Sequence, residues 1–400
     1  MTVLNLSVVT FLVMLGLSIV APVLPTYAEN FGVSYALVGF VISAFALTRM
    51  LLDIPAGFLS RSHDKKGIMI LGLILIVISS VVAGMAADYI TLVIARMIEG
   101  AGSALYVTTA TVFLAQIAGT ARRGRLMSIY SGMLLLGSVF GPSFGGLVAT
   151  IYDIRAPFFA YAIVVGIGVI PTLTLPRSYS SRTTLSVQER GSSIGDIASV
   201  LSYGSFAVMT LATFTLFFIR TGVRSTLVPL FAANNLGTDS SAIGMVLTFA
   251  GATTAATMVP IGDVSDRIGR RNPLILCLLL TAIVTLSIPF ATDLLQLSVV
   301  MAIYGATVGL SGPIAAYVTD VSPPDKIEVS MGLFRMISDV GFVSGPILLG
   351  YIADQTPVMP SGLIGPVPFA VASVIMIVAG LSLLKAQDPA RKRNLQSISV

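Results

Sequence analysis

The sequence predicts an all-α integral membrane protein of twelve transmembrane helices in two pseudo-symmetric halves of six. Three observations carry that prediction. Hydrophobic residues make up 55% of the 400 and charged residues only 10%, with mean hydropathy +0.95; soluble proteins carry about 25% charged residues. Charges and turn residues cut the chain into apolar runs of about 20 residues or more, the length that crosses a hydrocarbon core of roughly 30 Å. Finally, Gly137-Ser-Val-Phe-Gly141-Pro142-Ser-Phe-Gly145-Gly146 returns as Gly341-Phe-Val-Ser-Gly345-Pro346-Ile-Leu-Leu-Gly350, an offset of 204 residues.

In chain order the runs fall at 3–28, 34–58, 67–87, 90–115, 126–151, 156–176, 203–231, 240–261, 272–291, 295–319, 328–352 and 366–386. No Lys or Arg precedes the first, and it exceeds the apolar core of a signal peptide, so it reads as span 1. Span 5 holds the repeated phrase. Its glycines at i, i+4 and i+8 line one face, Pro142 removes a backbone donor and bends the axis, and another helix can therefore approach closely. Residues 177–202 form the only long polar connector. Ile194, Ile197, Val200 and Leu201 fall there at helical spacing; they either lie along the membrane surface or simply begin span 7. The expected organisation is a first bundle at 1–176, a cytoplasmic linker at 177–202, a second bundle at 203–386 and a cytoplasmic tail at 387–400.

The repeat extends to other places in register. Pro25, Ala28 and Asn30 return as Pro229, Ala232 and Asn234, and Pro55-Ala-Gly57 as Pro260-Ile-Gly262. Parallel halves of six spans are an arrangement of transporters built about an axis normal to the membrane.

The net charge of +5 raises nucleic acid as a partner, but the basic residues form small clusters between apolar spans, which excludes it and fits orientation signals instead. Seventeen of the 23 Lys and Arg fall on one face, in the 2–3, 4–5, 6–7, 8–9 and 10–11 loops and the C-terminal stretch. Arg155 alone falls on the other. Both termini are thus expected in the cytoplasm, in a multi-pass protein of the cell membrane. Cys277 is the only cysteine and His63 the only histidine, so no disulfide framework, metal site or nucleophile–base pair can be read. The chain is not expected to be an enzyme. It shows no ATP-binding loop and needs no cofactor; a proton or other ion gradient is the expected energy source.

Gly262-Asp-Val-Ser-Asp266-Arg267-Ile-Gly269-Arg270-Arg271 combines a short turn, an acid at a helix end and a basic cluster in the 8–9 loop. The pattern Gly-x-x-x-Asp-Arg-x-Gly-Arg-Arg is similar to the loop signature of the major facilitator superfamily. Gly137 to Gly146 resembles the fifth-span signature of its drug/proton antiporter branch, and Arg96-Met-Ile-Glu99-Gly100-Ala-Gly102 resembles its fourth-span motif. The resemblance covers essentially the whole chain. It implies the superfamily's twelve-span fold, alternating access by a rocker-switch motion, and a central cavity bordered by spans 4 and 10. The expected partners are the lipid bilayer, a small-molecule substrate and protons, with a monomer as the working unit.

One departure is informative. The 2–3 loop reads Gly57-Phe-Leu-Ser-Arg61-Ser-His-Asp64, placing Arg61 where the family carries Asp. In the family that acid faces the N-terminus of span 11, where anions are favoured and cations are not. Here span 11 opens Pro323-Pro-Asp325-Lys-Ile-Glu328, so the pair has swapped sign, with Arg61 facing Asp325 or Glu328, or else these are solvated loop charges of little worth. In the second half Asp266 keeps the usual sign and would face Arg122, Arg123 or Arg125.

Charges inside spans cost about 2.5–3.5 kcal/mol each on insertion scales. Arg49 and Asp53 in span 2, and Arg335 and Asp339 in span 11, are each spaced i, i+4 and share a helical face. Spans 2 and 11 run in opposite directions. Asp53 and Arg335 lie about 10 Å from the cytoplasmic ends, and Arg49 and Asp339 about 15 Å. With the spans adjacent, each Arg faces the other helix's Asp, forming a charge seam between the halves; alternatively each Arg satisfies the Asp of its own helix. On span 4 Arg96, Glu99, Ser103 and Tyr106 line one face, as do Tyr304, Thr307 and Ser311 on span 10. These stripes are the candidate substrate and proton surface, or else helix-packing hydrogen bonds. Burial favours the neutral form of a carboxyl such as Glu99 or Asp339 while a nearby Arg opposes this, so separating the two would release and reload a proton.

The function expected from this is proton-coupled efflux of small amphipathic compounds. A proton-coupled sugar or metabolite transporter is the alternative, against which stands the lack of a dense polar stripe.

Overall fold

A computed structural model describes residues 2–117, 119–176, 199–323, 326–358 and 362–388, the side chains of 61–62, 115, 119–125, 127–128 and 328 excepted. Among the described residues twelve helices are long and apolar enough to cross a membrane. They are Thr2–Ile19, Tyr35–Ser60, Lys65–Gly84, Tyr89–Leu114, Ile129–Ile151, Ala156–Leu173, Gly204–Asn234, Ser240–Ile268, Arg271–Phe290, Leu294–Val321, Val329–Gln355 and Val367–Lys385, spans 1 to 12. The described residues hold no strand, only an isolated bridge between Val358 and Leu363. The all-α membrane fold read from composition and segmentation is the fold observed.

Local chemistry sets the helix ends. Asp64, Asp88 and Asp293 accept backbone N–H groups at the starts of spans 3, 4 and 10, where the helix dipole favours an anion. Bonds from the Thr91 backbone N–H and hydroxyl hold the Asp88 carboxyl below its usual value. Span 8 runs on to Ile268 and closes at Gly269, whose φ of +97° lies in the left-handed region that glycine tolerates best. The run 240–261 was therefore too short. Gly262, Asp266 and Arg267 stand on the last turns of a helix rather than in a loop, because nothing after Pro260 breaks the helix before Gly269. Gly57 likewise lies within the helix Tyr35–Ser62.

Among the described residues three spans are interrupted or widened internally, while spans 9 and 12 only end in short 3-10 turns. Span 1 ends at Ile19 and resumes as Leu24–Glu29 after a tight turn, since Pro22 cannot donate and crowds the preceding turn. Span 10 stops at Gly309 and resumes at Ile314, broken by Gly312-Pro313. Span 7 carries a π-helical segment, Arg220–Leu227, immediately before Pro229.

The chain forms two compact units, Met1–Ser186 with Gly237–Thr248, and Val187–Leu236 with Phe249–Val400. In the first unit, spans 1 and 5 meet along the glycine face: a Cβ on Gly137, Gly141 or Gly145 would lie 2.7, 2.3 or 1.8 Å from Phe11 O, Ser18 Cβ or Ile19 O. Such distances mean backbone packed on backbone, with no room for a methyl group. Spans 3 and 4 meet through Gly72 and Gly102, each against the other's carbonyl. Residues 237–248 join this unit because Gly146 and Gly244 admit them equally closely, against Ser240 O and Pro142 O. Thr248 Oγ1 also accepts from Ser143 N at 3.1 Å, and Ser143 Oγ lies 2.7 Å from it. In the second unit a Cβ on Gly341 or Gly345 would lie 2.5 or 2.2 Å from Phe214 O or Phe218 O of span 7, the counterpart of the span 1–5 contact.

Candidate functional site

A buried ion pair lies on span 4 of the first unit. Arg96 and Glu99, at i, i+3, form an ion pair whose side chains are 4% and 1% exposed. Tyr161 of span 6 lies near the same carboxylate. The Phe45 ring of span 2 receives two guanidiniums, with Arg96 Cζ 4.9 Å and Arg49 Cζ 5.8 Å from its centroid, both within cation–π range. Glycines make this convergence possible. A Cβ on Gly100 would lie 2.3 Å from Phe45 O, and one on Gly16 would lie 2.1 Å from Tyr161 Cδ2. The close crossing brings the Arg96–Glu99 pair to Phe45 and Tyr161. Glu99 Oε1 is buried with no hydrogen-bond partner among the described residues, so this carboxylate is held on one oxygen and open on the other.

Further along the same helix, Ser103 and Tyr106 are buried, and the Tyr106 hydroxyl lies 3.0 Å from Thr10 Oγ1 of span 1. Nearer the far end, Thr108 donates to Asp53 Oδ1 of span 2 at 3.0 Å. Thus Arg49, Asp53, Arg96 and Glu99 occur along the span 2–span 4 crossing, and Ser103 and Tyr106 extend the buried set along span 4. Phe45, Tyr161 and Thr10 complete it and were not read from the sequence. Phe45 precedes Arg49 by four residues, a helical spacing that could have found it. Tyr161 and Thr10 sit in plain apolar runs and gave no signal.

The second unit repeats the crossing with different chemistry. Gly305 of span 10 would place a Cβ 2.1 Å from Ala250 O of span 8, at the same 205-residue offset from Gly100 and Phe45. At that offset Tyr304 replaces Glu99, Met301 replaces Arg96 and Ala250 replaces Phe45. Tyr304 is 1% exposed. Thr307 bonds Thr281 Oγ1 of span 9 at 2.9 Å and donates to Tyr304 O, which makes it a packing residue here. Ser311 lies in the turn that interrupts span 10 rather than on a helical stripe. On span 11 Arg335 is exposed and Asp339 half-buried.

At the end of span 8, Arg270 forks between Asp266 Oδ1 at 2.8 Å and Asp320 Oδ2 of span 10 at 2.9 Å. Asp320, at the far end of a span, was not anticipated. Arg271 donates to Ala386 O at 3.0 Å and through its backbone to Asp388 Oδ2 at 3.3 Å, tying span 9 to the segment after span 12. Asp325 lies outside the described residues, as do the side chains of Arg61, Arg122, Arg123, Arg125 and Glu328. No group of His, Cys, Asp and Glu suited to a metal ion occurs among the described residues.

Pro142 and Pro346 lie inside continuous helices, flanked by the glycines that seat spans 1 and 7. A Cβ on Gly262, by contrast, would meet nothing within 4 Å.

Comparison with known proteins agrees with this architecture. The chain is 25% identical over 349 residues to Multidrug resistance protein 1 of Bacillus subtilis strain 168, covering 86% of this chain and 87% of that protein. It is 23% identical over 346 residues to the quinolone resistance protein NorA of Staphylococcus aureus strain COL, covering 86% and 88%. Among solved structures, the inward-facing, unoccupied bacterial homolog of the human lysosomal transporter Spinster superposes with a TM-score of 0.75 at 17% identity, covering 100% of this chain and 97% of that one. The nucleoside transporter NupG gives 0.76 at 15%, covering 96% and 99%; at these identities both show the fold alone. The model named Major Facilitator Superfamily matches residues 6–223 and 209–399. With twelve membrane-crossing helices, a glycine seat repeated in each half and a family match over both, the chain is a multi-pass membrane protein belonging to the Major Facilitator Superfamily.

Proposed function

We propose that the chain is a secondary transporter that exports small amphipathic compounds in exchange for protons. The observation that carries this reading is the buried Arg96–Glu99 pair, a carboxylate with one oxygen unpaired inside a membrane-spanning unit. A charge kept at such cost in a span marks a substrate or proton route. The relatives named for multidrug and quinolone resistance, each aligned over 86% of this chain, support export over uptake. Glu99 then exchanges its proton as its distance from Arg96 changes, and the buried Phe45, Tyr106 and Tyr161 would offer aromatic contact to an apolar cargo only once the helices around them part.

Alternating access in this proposal is a rocking of two bundles, 1–176 and 203–386, joined by the linker 177–202, with the termini in the cytoplasm and the monomer as working unit. Arg49 with Asp339 and Asp53 with Arg335 act as the charge seam that opens and closes. Gly57, Arg61, Asp325 and Glu328 in one half, and Gly262, Asp266, Arg267, Gly269, Arg270, Arg122 and Arg123 in the other, form the cytoplasmic gate.

The test is reconstitution into vesicles with an imposed pH gradient and a panel of compounds. Amphipathic compounds should dissipate the gradient, and Glu99→Gln should abolish that response. A response confined to sugars would replace this reading with a sugar or metabolite transporter.

A further inference from the structure

Spans 1, 4 and 5 of the first unit bury a column of hydroxyl groups below the Arg96–Glu99 pair. Thr10 Oγ1 of span 1 and the Tyr106 hydroxyl of span 4 lie 3.0 Å apart. Spans 1 and 4 cross the membrane in opposite directions, so a step of i−3 on one and i+3 on the other leads the same way. That step reaches Ser7 and Thr109 and brings them to one depth, about 4.5 Å nearer the end where span 1 begins. Tyr130 of span 5 lies near Thr10 and Tyr106. It stands seven residues before Gly137, whose seat is between Phe11 and Leu15, so its backbone is near the depth of Ser7 and the tyrosine joins the two levels. In the other direction Ser103 stands between Tyr106 and Glu99 on span 4. None of these seven side chains belongs to a residue more than 4% exposed.

Protein groups do not close this column. Ser7 Oγ, Thr109 Oγ1, the Tyr130 hydroxyl and Glu99 Oε1 are each buried with no hydrogen-bond partner among the described residues. A helical serine or threonine ordinarily turns its hydroxyl onto the carbonyl three or four residues back, as Thr111 does onto Val107 O at 2.8 Å. Ser7 and Thr109 do not. A buried hydroxyl left unpaired is costly, and ordered water is what usually satisfies it. Along span 4 the steps from Glu99 to Ser103, Tyr106 and Thr109 rise about 6, 4.5 and 4.5 Å, each of which one bridging water can cover. The charged side chains described on the packed spans stand aside from this line. Arg96 holds the other oxygen of Glu99, and Arg49 lies over Phe45. Asp53 accepts from Thr108, on a different face of span 4 from Thr109, and Lys65 is buried at the start of span 3.

We propose that Ser7, Thr10, Ser103, Tyr106, Thr109 and Tyr130, bridged by water, are the path by which Glu99 exchanges its proton with the end of the bundle where span 1 begins. This rests on the reading of Glu99 as the proton carrier and deepens it by naming the route. A proton arriving at the level of Ser7 and Thr109 is accepted by one oxygen, which releases its own proton to the next. The last transfer protonates Glu99 Oε1, so one proton leaves the water and one carboxylate is neutralised. Release runs the same steps in reverse. Hydroxyls and water leave the column uncharged between transfers, which avoids placing a further ion inside the spans.

The test follows the proton rather than the cargo. The full chain in detergent is given a downward pH jump, and Glu99 is read through the infrared carboxyl band that Glu99→Gln removes. Thr10→Val and Tyr130→Phe, singly and together, should slow the rise of that band at least about tenfold while leaving its titration midpoint in place. Thr10→Ser, which keeps the hydroxyl, should return most of the native rate. In the native protein the same difference spectrum should contain water O–H bands that shift in heavy-oxygen water, which decides the matter even if a variant fails to fold. Unchanged rates in the folded variants overturn the path, as does a native spectrum without such water bands. A slower rise that comes with a displaced midpoint overturns it too, because the hydroxyls then act on the carboxyl and not on its supply of protons. If no carboxyl band depends on Glu99, the assignment of the proton to that residue falls and the column falls with it. A working column in a chain that exports no compound counts against export alone.

Discussion

At the scale of single residues, the energetics of span 4 turn on one pair. Arg96 and Glu99 neutralise each other where water is excluded. Removing one partner of such a pair leaves an uncompensated buried charge and costs about 3–5 kcal/mol, whereas replacing both with apolar groups is often neutral. Glu99→Leu should therefore lower the thermal stability of the detergent-purified chain sharply, and Arg96→Met added to it should restore most of the loss. Transport should stay absent in the restored double variant if Glu99 is the carboxyl that exchanges protons, as proposed. A double variant that regained gradient-driven efflux would show that the pair serves packing only.

At the scale of helices, glycine does two separable jobs. Gly145 is seated where a methyl group would fall 1.8 Å from Ile19 O, so Gly145→Ala must push span 1 off span 5, at a cost of about 1–3 kcal/mol. Gly262 faces open space inside a helix, so Gly262→Ala should keep or slightly raise the unfolding midpoint. The two midpoints measured side by side check this; equal losses would mean that the span 8 glycine is packed in a way its surroundings do not show. The same contrast shows what the sequence disclosed. Glycines at i, i+4 and i+8 announced a close helix approach, and the phrase 137–146 shows one in both directions, onto span 1 and onto residues 237–248. Twelve spans were legible because length and polarity alone decide whether a segment can cross a bilayer. The π segment of span 7 was not legible, since Pro229 signals a disturbed backbone but not the form it takes. Tyr161 was equally hidden. Its role depends on Gly16, far away in sequence, leaving room for the ring. The pairing of Arg270 with Asp320 was missed for a similar reason, because it depends on how the ends of two spans meet.

At the scale of the whole molecule, the proposed charge seam ties function to the duplicated architecture. Arg49 and Asp53 of span 2 mirror Arg335 and Asp339 of span 11 in spacing, and in the proposed seam opposite chain directions would bring unlike charges to similar depths. Retaining four ionisable groups in two spans is costly, at about 2.5–3.5 kcal/mol each on insertion scales, so each must find an opposite charge in at least one state of the cycle. If the partners are exchanged across the two halves, Arg49→Asp alone sets like charges against each other, and Asp339→Arg alone does the same. Each should reduce gradient-driven efflux at least about tenfold, since a like-charge contact replaces an attraction in a medium of low dielectric constant. Combining Arg49→Asp with Asp339→Arg restores opposite signs and should return efflux to within a few-fold of the native rate. A seam made only of i, i+4 pairs within each helix predicts a different result. There the combined reversal leaves two acids on span 2 and two arginines on span 11, and the double variant is at least as impaired as either single one. Efflux rates of the four proteins in the same vesicles separate these outcomes, and failure of the double reversal to recover would remove the seam from the mechanism.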